Sequence, residues 1–377
     1  MGTNFITDPE FNSHFRQLHQ VFMYITDRCN LHCEQCIYKP SISHFINEEI
    51  GLEDALGLLK TFRSLGAGKV TFLGGEPTLY GHKSGGRPLL DLLEKTKAIG
   101  FEYIRLDTNG QQISHFLDTP EFRNLDEIAF SLDGFSAKTN DPLRGKGTFV
   151  RAVDAIQNAN RLGYHVTITC CIQKILLERD SEGTLLLERM IRFAETLGVK
   201  QINFHDLFKV GIPMDTWTGN FAPRPADWVP VYEELSAKIK SGFFSIAIRL
   251  PQCFVSRTEF SRNPDYYSYC PVKLGERVMV HPNGTIRICS NLICTAYGVA
   301  TWGDGRIIWE KSNANELAKH DMGGMTPCTN RSRHKKYGTL VPLCFSFKPG
   351  QNEYVWTNRL EWEENSVAPL SVVNRHG

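Results

Sequence analysis

The chain has 377 residues, with 42 Lys and Arg against 41 Asp and Glu, a net charge of +1. That balance carries no electrostatic signature for DNA, RNA or anionic lipid, and a hydrophobic content of 41% is ordinary for a chain of one large domain and a smaller one. No run of about 18 apolar residues occurs, and residues 1–20 lack the basic and apolar regions of a secretory signal. With 11 cysteines, these exclusions favour a cytoplasmic chain, without membrane or nucleic-acid partners, whose thiols bind metal or do redox work rather than form disulfides.

The pattern along the chain alternates strands and helices. Residues 21–26 read as a buried strand, followed by the loop Thr26-Asp27-Arg28-Cys29-Asn30-Leu31-His32-Cys33-Glu34-Gln35-Cys36. Residues 52–65 have apolar positions at helical spacing and stop at Gly66. A second strand, 69–73, ends at Gly74-Gly75. Helix 89–99 precedes strand 103–107, which ends at Thr108-Asn109-Gly110. Strand 127–132 ends at Asp133-Gly134. Helix 149–162 ends at Gly163, a C-terminal cap, and is followed by strand 164–172, helix 185–197 and strand 201–206. Strict alternation argues for βα units and a parallel sheet, here six units in an open form of the eight-unit barrel, with functional residues where strands end.

From residue 222 the pattern changes. A polar helix (228–240) precedes a strand (244–250), and two later strand-like runs, 277–281 and 285–289, are joined by the turn Pro282-Asn283-Gly284. The expected fold class is therefore α/β: a partial (β/α)6 TIM-type barrel with a small C-terminal cysteine-rich β-hairpin/helix domain. The expected organisation is an N-terminal extension (1–20), the barrel (21–220), a connecting helix and strand (221–264) and the cysteine-rich domain (265–377).

The cysteines Cys29, Cys33 and Cys36 are the most informative feature. Three thiolates at Cys-x3-Cys-x2-Cys spacing can grip three corners of a cubane 4Fe–4S cluster. One iron is then left without a protein ligand, free to bind a small chelating molecule and pass it one electron. Structural zinc prefers two close Cys pairs that together close a tetrahedral site, and no fourth ligand lies nearby. A chance spacing is the other bland reading.

With the motifs that follow it, the loop makes the chain resemble the radical S-adenosylmethionine (radical SAM) superfamily. The resemblance spans residues 21–206. It implies an open iron that binds SAM, cleavage of SAM to a 5′-deoxyadenosyl radical, and hydrogen abstraction from a substrate. Gly74-Gly75-Glu76-Pro77 matches the family's motif for the methionine ammonium of SAM; two glycines permit close backbone approach, and carbonyls with a carboxylate suit a cation. Thr108-Asn109-Gly110 and Ser131-Leu132-Asp133-Gly134 resemble the family's third- and fourth-strand segments, and Arg144-Gly145-Lys146-Gly147-Thr148-Phe149 the run that often follows. The resemblance makes Asn109, Ser131, Asp133 and Arg144 candidate cofactor contacts. Ser131 and Asp133 fall on one strand face and could reach ribose or substrate hydroxyls, while Arg144 could pair with a carboxylate. The residue before the third cysteine, commonly aromatic in the family, is Gln35 here; Tyr38 could serve at the adenine instead.

Cys270 and Cys289, flanking Gly284, match the opening of the family's twitch and SPASM extensions, in which a hairpin carries ligands of an auxiliary cluster. The resemblance implies a second 4Fe–4S cluster on Cys270, Cys289, Cys328 and Cys344, with Cys294 a spare, and a twitch-like rather than full SPASM domain. The alternative is buried free cysteines packed in the core.

A substrate radical can be oxidised, quenched by a thiol to give an epimer, or coupled to form a crosslink. An epimerase needs a cysteine outside the clusters; Cys253, Cys171 and Cys170 are the candidates, with core packing the alternative for each. His205, with Asp206 at the sixth strand's end, could act as a base. A one-electron reductant such as flavodoxin or ferredoxin is expected as partner. The short segment before the first strand leans towards a small-molecule substrate, an intermediate of antibiotic biosynthesis that is carbohydrate-like and undergoes epimerisation or dehydrogenation. Maturation of a ribosomally made peptide, by epimerisation or crosslinking, is the alternative.

Overall fold

Alternation of apolar and polar positions along each barrel strand divides the molecule into an outer and an inner face. The computed structural model describes residues 3–36, 48–205, 207, 221–251, 254–262, 275–289, 298–313 and 340–342. Strand β1 (Ile6–Thr7) and helix α1 (Pro9–His14) come first, then β2 (Gln20–Thr26). Strands β3 (Lys69–Gly74), β4 (Tyr103–Thr108), β5 (Glu127–Ser131), β6 (Val166–Cys171), β7 (Gln201–His205) and β8 (Ala247–Arg249) each pair in parallel with the strand before.

The outer face is apolar. Val21, Met23, Val70, Phe72, Ile104, Leu106, Ile128, Phe130, Val166, Ile168, Ile202 and Phe204 are all fully buried. They share one core with helices α2 (Leu52–Ser64), α3 (Arg87–Ile99), α5 (Thr148–Arg161) and α6 (Leu186–Thr196); the short α4 (Ala137–Arg144) lies between β5 and α5. Each such side chain contributes about 1.5–3 kcal/mol on burial, so this face holds the barrel together. The α/β barrel expected from sequence is present, and predicted helix ends agree with observed ones to within two residues before residue 200.

Two segments depart from expectation. The strand expected in the connecting segment is β8, after helix α7 (Pro225–Lys240), and it extends the parallel sheet beyond β7. The expected hairpin forms as β10 (Arg277–Val280) and β11 (Thr285–Arg287), following β9 (Phe254–Ser256) and α8 (Arg257–Arg262). Gly284 turns it at φ 82°, a left-handed conformation that glycine adopts without strain. Instead of standing apart, β10 pairs in parallel with β2, and β11, β12 (Ala300–Gly303) and β13 (Arg306–Trp309) continue the same sheet to β1. A separate two-stranded sheet joins β9 to β14 (Leu340–Pro342).

The N-terminal segment, polar by composition, is tied into this extension. Phe11 and Phe15 are fully buried and pack against Trp309, with Phe11 and Trp309 ring centroids 6.2 Å apart. Among the described residues no helix is long and apolar enough to cross a membrane.

Candidate active site

The C-terminal ends of β2 to β7 meet at one mouth, and the cysteine loop after β2 lies across it. Backbone geometry locks the loop to the end of β3. The N–H groups of Gly75 and Glu76 donate to the carbonyls of Thr26 (2.8 Å) and Arg28 (2.6 Å). A Cβ on Gly74 would sit 2.1 Å from the Thr26 carbonyl oxygen, and one on Gly75 2.1 Å from that of Arg28. No side chain fits at either position, so the glycine pair is dictated by the approach of the cysteine loop itself.

Glu76 is buried, and its carboxylate joins β3 to β4. Oε1 accepts from the Thr78 N–H (3.1 Å), the Thr78 hydroxyl (2.7 Å) and the Thr108 hydroxyl (2.8 Å); Oε2 accepts from the Asn109 N–H (2.7 Å). Burial pushes the carboxyl upward and these bonds oppose it. Pro77 opens the short turn Pro77–Leu79 that Glu76 caps. Asn109 Nδ2 reaches Asn30 Oδ1 at 2.7 Å and lies 3.9 Å from Cys29 Sγ. Hence three strand ends converge on the first cysteine.

Cys29, Cys33 and Cys36 are all partly exposed. The Cys36 N–H donates to the Cys33 carbonyl at 3.3 Å, and Cys33 Sγ lies 4.0 Å from the Arg144 carbonyl. The Cys29 thiol is pushed up to about 12, first by burial and further by the negative charges of Glu76, Cys33 and Cys36. Such crowding of acidic groups is what cationic irons relieve, so the donor set fits a 4Fe–4S cluster. Among the described residues no three His, Cys, Asp or Glu side chains converge on a single ion; a cubane, with its irons at separate corners, does not require it.

Asp133 and Arg144, expected to reach ligand hydroxyls and a carboxylate, face each other. Asp133 is fully buried, with Arg144 Nε 2.6 Å from Oδ2. Asp133 Oδ2 also accepts from Gln35 Nε2 (2.5 Å), and Oδ1 from the Cys171 N–H (2.7 Å). Its backbone is held by Asn140 Oδ1, accepting from the Asp133 N–H at 2.9 Å, and by Gln173 Nε2, donating to the Asp133 carbonyl at 2.5 Å. The reason is α4, which returns the chain over the end of β5 and carries Arg144 inward. The carboxylate thus ties the cysteine loop, α4 and β6 together. Gln35, where the family commonly has an aromatic, anchors the loop rather than presenting a ring. Asn140 and Gln173 carried no sequence signal. In the Arg144 to Phe149 run, Asp141 accepts the N–H groups of Gly147 (2.7 Å) and Phe149 (2.9 Å), satisfying the start of α5.

Alternation separates the two adjacent cysteines of β6. Cys170 is fully buried in the outer core, and burial drives its thiol well above the ordinary range. Cys171 is half-buried on the inner face, register-paired with His205 on β7. His205 is open to solvent yet ringed by protein atoms, which, with Arg249 and Arg105, lower its pKa. Its solvent access limits that depression, but the direction leaves a neutral imidazole able to accept a proton. Ser131 is half-buried on the same inner face. Cys289, two residues after β11, is buried. Cys253, Cys270, Cys294, Cys328, Cys344, Tyr38 and Asp206 lie outside the described residues.

Comparison with known proteins agrees with this geometry. Residues 23–187 match the radical SAM superfamily. A probable GTP 3′,8-cyclase of Saccharolobus solfataricus is 27% identical over 229 residues, covering 59% of this chain and 66% of that protein, so the chain spans just under two thirds of this relative's length. A GTP 3′,8-cyclase of Lactiplantibacillus plantarum is 28% identical over 156 residues, 41% of this chain and 45% of its own. Among solved structures, anSMEcpe with bound AdoMet superposes with a TM-score of 0.59 at 16% identity, covering 93% of this chain and 98% of that one. SuiB of Streptococcus suis, bound to precursor peptide SuiA, gives 0.55 at 17% identity, covering 76% and 63%. Both structural likenesses are of fold.

Proposed function

With residues 23–187 a radical SAM domain, we propose that this protein holds a 4Fe–4S cluster on Cys29, Cys33 and Cys36 and binds SAM beside Gly74-Gly75-Glu76-Pro77. It would remove a hydrogen atom from a carbohydrate-like small molecule in the barrel mouth, with epimerisation as the outcome. When bound, cluster and SAM supply the 5′-deoxyadenosyl radical.

The residues divide the remaining work. Gly74 and Gly75 let the cysteine loop lie flat on β3, and Glu76 with Asn109 fixes it there. Asp133 and Arg144 position the other side of the loop against β6. The Cys171 thiol gives a hydrogen atom to the substrate carbon radical from the opposite face, forming a C–H bond and leaving a sulfur radical. That radical returns to thiol by taking one electron from a flavodoxin- or ferredoxin-type donor and one proton. His205, beside it, is the group suited to move that proton. Dehydrogenation is the outcome if the substrate radical loses an electron instead. An auxiliary cluster on Cys270, Cys289, Cys328 and Cys344 remains part of the proposal, as does the four-part organisation read from the sequence.

The observation that carries the epimerase reading is the inward placement of Cys171 beside His205, with Cys170 turned into the core. The small-molecule reading is supported by the curated relatives, named for a nucleotide substrate. Peptide maturation is the second reading, supported by the peptide-bound SuiB structure. Turnover of sugar-containing natural products in heavy water is the test. Solvent deuterium should enter at the new stereocentre, and Cys171→Ala should accumulate 5′-deoxyadenosine without product. Unlabelled product, or full activity of that variant, would refute the role of Cys171.

A further inference from the structure

Strands β6 and β7 present three successive pairs of side chains to the barrel interior: Thr167 with Gln201, Thr169 with Asn203, and Cys171 with His205. The first pair belongs to a polar floor whose members engage one another. The Thr167 hydroxyl donates to Glu127 at 2.6 Å, the Tyr103 hydroxyl donates to the same carboxylate at 2.8 Å, and Gln201 Nε2 donates to Asn203 Oδ1 at 2.5 Å. The third pair is the thiol and imidazole of the candidate active site. Between floor and mouth the network stops. Thr169 Oγ1 and Asn203 Nδ2 are buried atoms, and neither has a hydrogen-bond partner among the described residues. Asn203 itself is only 2% exposed. Its amide is fixed from below: with Gln201 Nε2 on Oδ1, the two ends cannot exchange without setting donor against donor.

A buried donor left unmet destabilises the fold, whereas a ligand that meets it removes the penalty on binding. Geometry and chemistry together define that ligand. Neighbouring strands lie about 4.8 Å apart, and a hydrogen bond spans about 2.9 Å, so one oxygen between the two side chains reaches both. The asparagine nitrogen can only donate, while the threonine hydroxyl donates or accepts. A ligand hydroxyl matches both, accepting from Asn203 while giving its own proton to Thr169. A carbonyl has no proton to give. Both protein groups are neutral, so this contact calls for no charge on the ligand.

We propose that Thr169 and Asn203 bind one neutral hydroxyl of the substrate and thereby set which of its carbons lies before Cys171. The proposal rests on the reading that a carbohydrate-like substrate occupies the barrel mouth. Two residues along a parallel strand advance about 6.6 Å. The held hydroxyl therefore lies about one sugar residue's span below the level of the thiol. Substrates lacking that hydroxyl would lose register with Cys171, so the pair is a specificity determinant as well as a contact.

The test uses the anaerobically reconstituted protein saturated with SAM, so that the cofactor's own hydroxyl contacts are filled. It is titrated calorimetrically with methyl β-D-glucopyranoside and, separately, with N-acetylglycinamide, which offers amide carbonyls but no hydroxyl. Wild type should bind the glycoside, and more tightly than the amide. Thr169→Val and Asn203→Leu should each weaken glycoside binding about tenfold, the scale of one lost hydrogen bond. Thr169→Ser keeps the hydroxyl and should bind as wild type does. Thermal unfolding shows which variants fold, and if Asn203→Leu does not, the valine and serine variants decide. No glycoside binding to wild type, tighter binding of the amide, or unchanged affinity in folded Thr169→Val overturns the proposal. SAM cleavage by wild type is measured in parallel, so failure of the radical SAM reading is seen separately from failure of this contact.

Discussion

The contact between Asp133 and Arg144 offers the sharpest test of how the site is held. Asp133 is fully buried and Arg144 only 9% exposed, with 2.6 Å between Oδ2 and Nε. Removing one charge from such a pair leaves the other uncompensated, at a cost of about 3–5 kcal/mol. Asp133→Asn keeps an acceptor for Gln35 or Cys171 but strands the guanidinium; Arg144→Met strands the carboxylate, softened by the Gln35 and Cys171 donors. Each single variant should therefore lose about 3 kcal/mol, the lower end of that range. In a domain of this size that is a fall of about 6–12 °C in melting temperature. The double variant buries neither charge and should recover much of the loss, with a coupling of about 3 kcal/mol. The assay is anaerobic thermal unfolding followed by circular dichroism, with iron content measured on the same samples. The singles should also load less iron, because Gln35 then holds the cysteine loop less firmly. Additive losses, within about 0.5 kcal/mol, would show that the two residues do not act as a pair.

Two further outcomes follow from the same geometry. Gly75→Ala places a Cβ 2.1 Å from one backbone oxygen and 2.6 Å from another, so the cysteine loop must move and iron loading and SAM cleavage should be lost. Gly163→Ala, at φ 82° with open space around it, should cost about 1 kcal/mol and leave iron loading intact; equal loading of both variants would contradict the locking role of Gly75. Lys69 is pushed down to about 7, first by burial, whereas the unfolded chain keeps its proton to about 10.4. Between those values the unfolded state binds more protons, so unfolding free energy should rise with pH, by up to about 1.4 kcal/mol per unit. Urea unfolding at pH 7 and 9 should show this rise in wild type and its loss in Lys69→Met; an identical slope in both would remove Lys69 as its source.

The barrel was legible because its signal is local. Periodicity marked the strands and helices, and Gly66 and Gly163 marked helix ends, all within a few residues. The motifs at strand ends were legible for the same reason. What joins them was not: Gln35 meets Asp133 across 98 residues of chain, and Gln173 meets it across 40. Asp133 and Arg144 are expected to face a ligand because their motifs resemble the family's strand-end segments. Their contact with each other is not legible there, because it depends on α4 bringing Arg144 back onto Asp133. The hairpin at 277–287 was readable from its turn, but nothing in a hairpin names the strand beside it, so its pairing with β2 came only with the fold.

The two faces of the barrel strands also decide which side chains reach the mouth. A side chain that points outward, such as Cys170, is sealed among Val, Ile and Phe and meets neither solvent nor substrate. One residue later the alternation reverses and Cys171 opens to the lumen beside His205. A one-residue slip of β6 would exchange the two cysteines. That slip would also drive Thr169 and Thr167 into the apolar core and pull Ile168 into a charged interior, and Thr167 would leave Glu127. The penalty for misplacing these neighbours far exceeds anything the cysteines themselves contribute, so the packing of β6 fixes which thiol faces the lumen. By this reasoning the exchange Cys170→Ala should leave the chemistry intact while loosening the core, and Cys171→Ala should do the reverse.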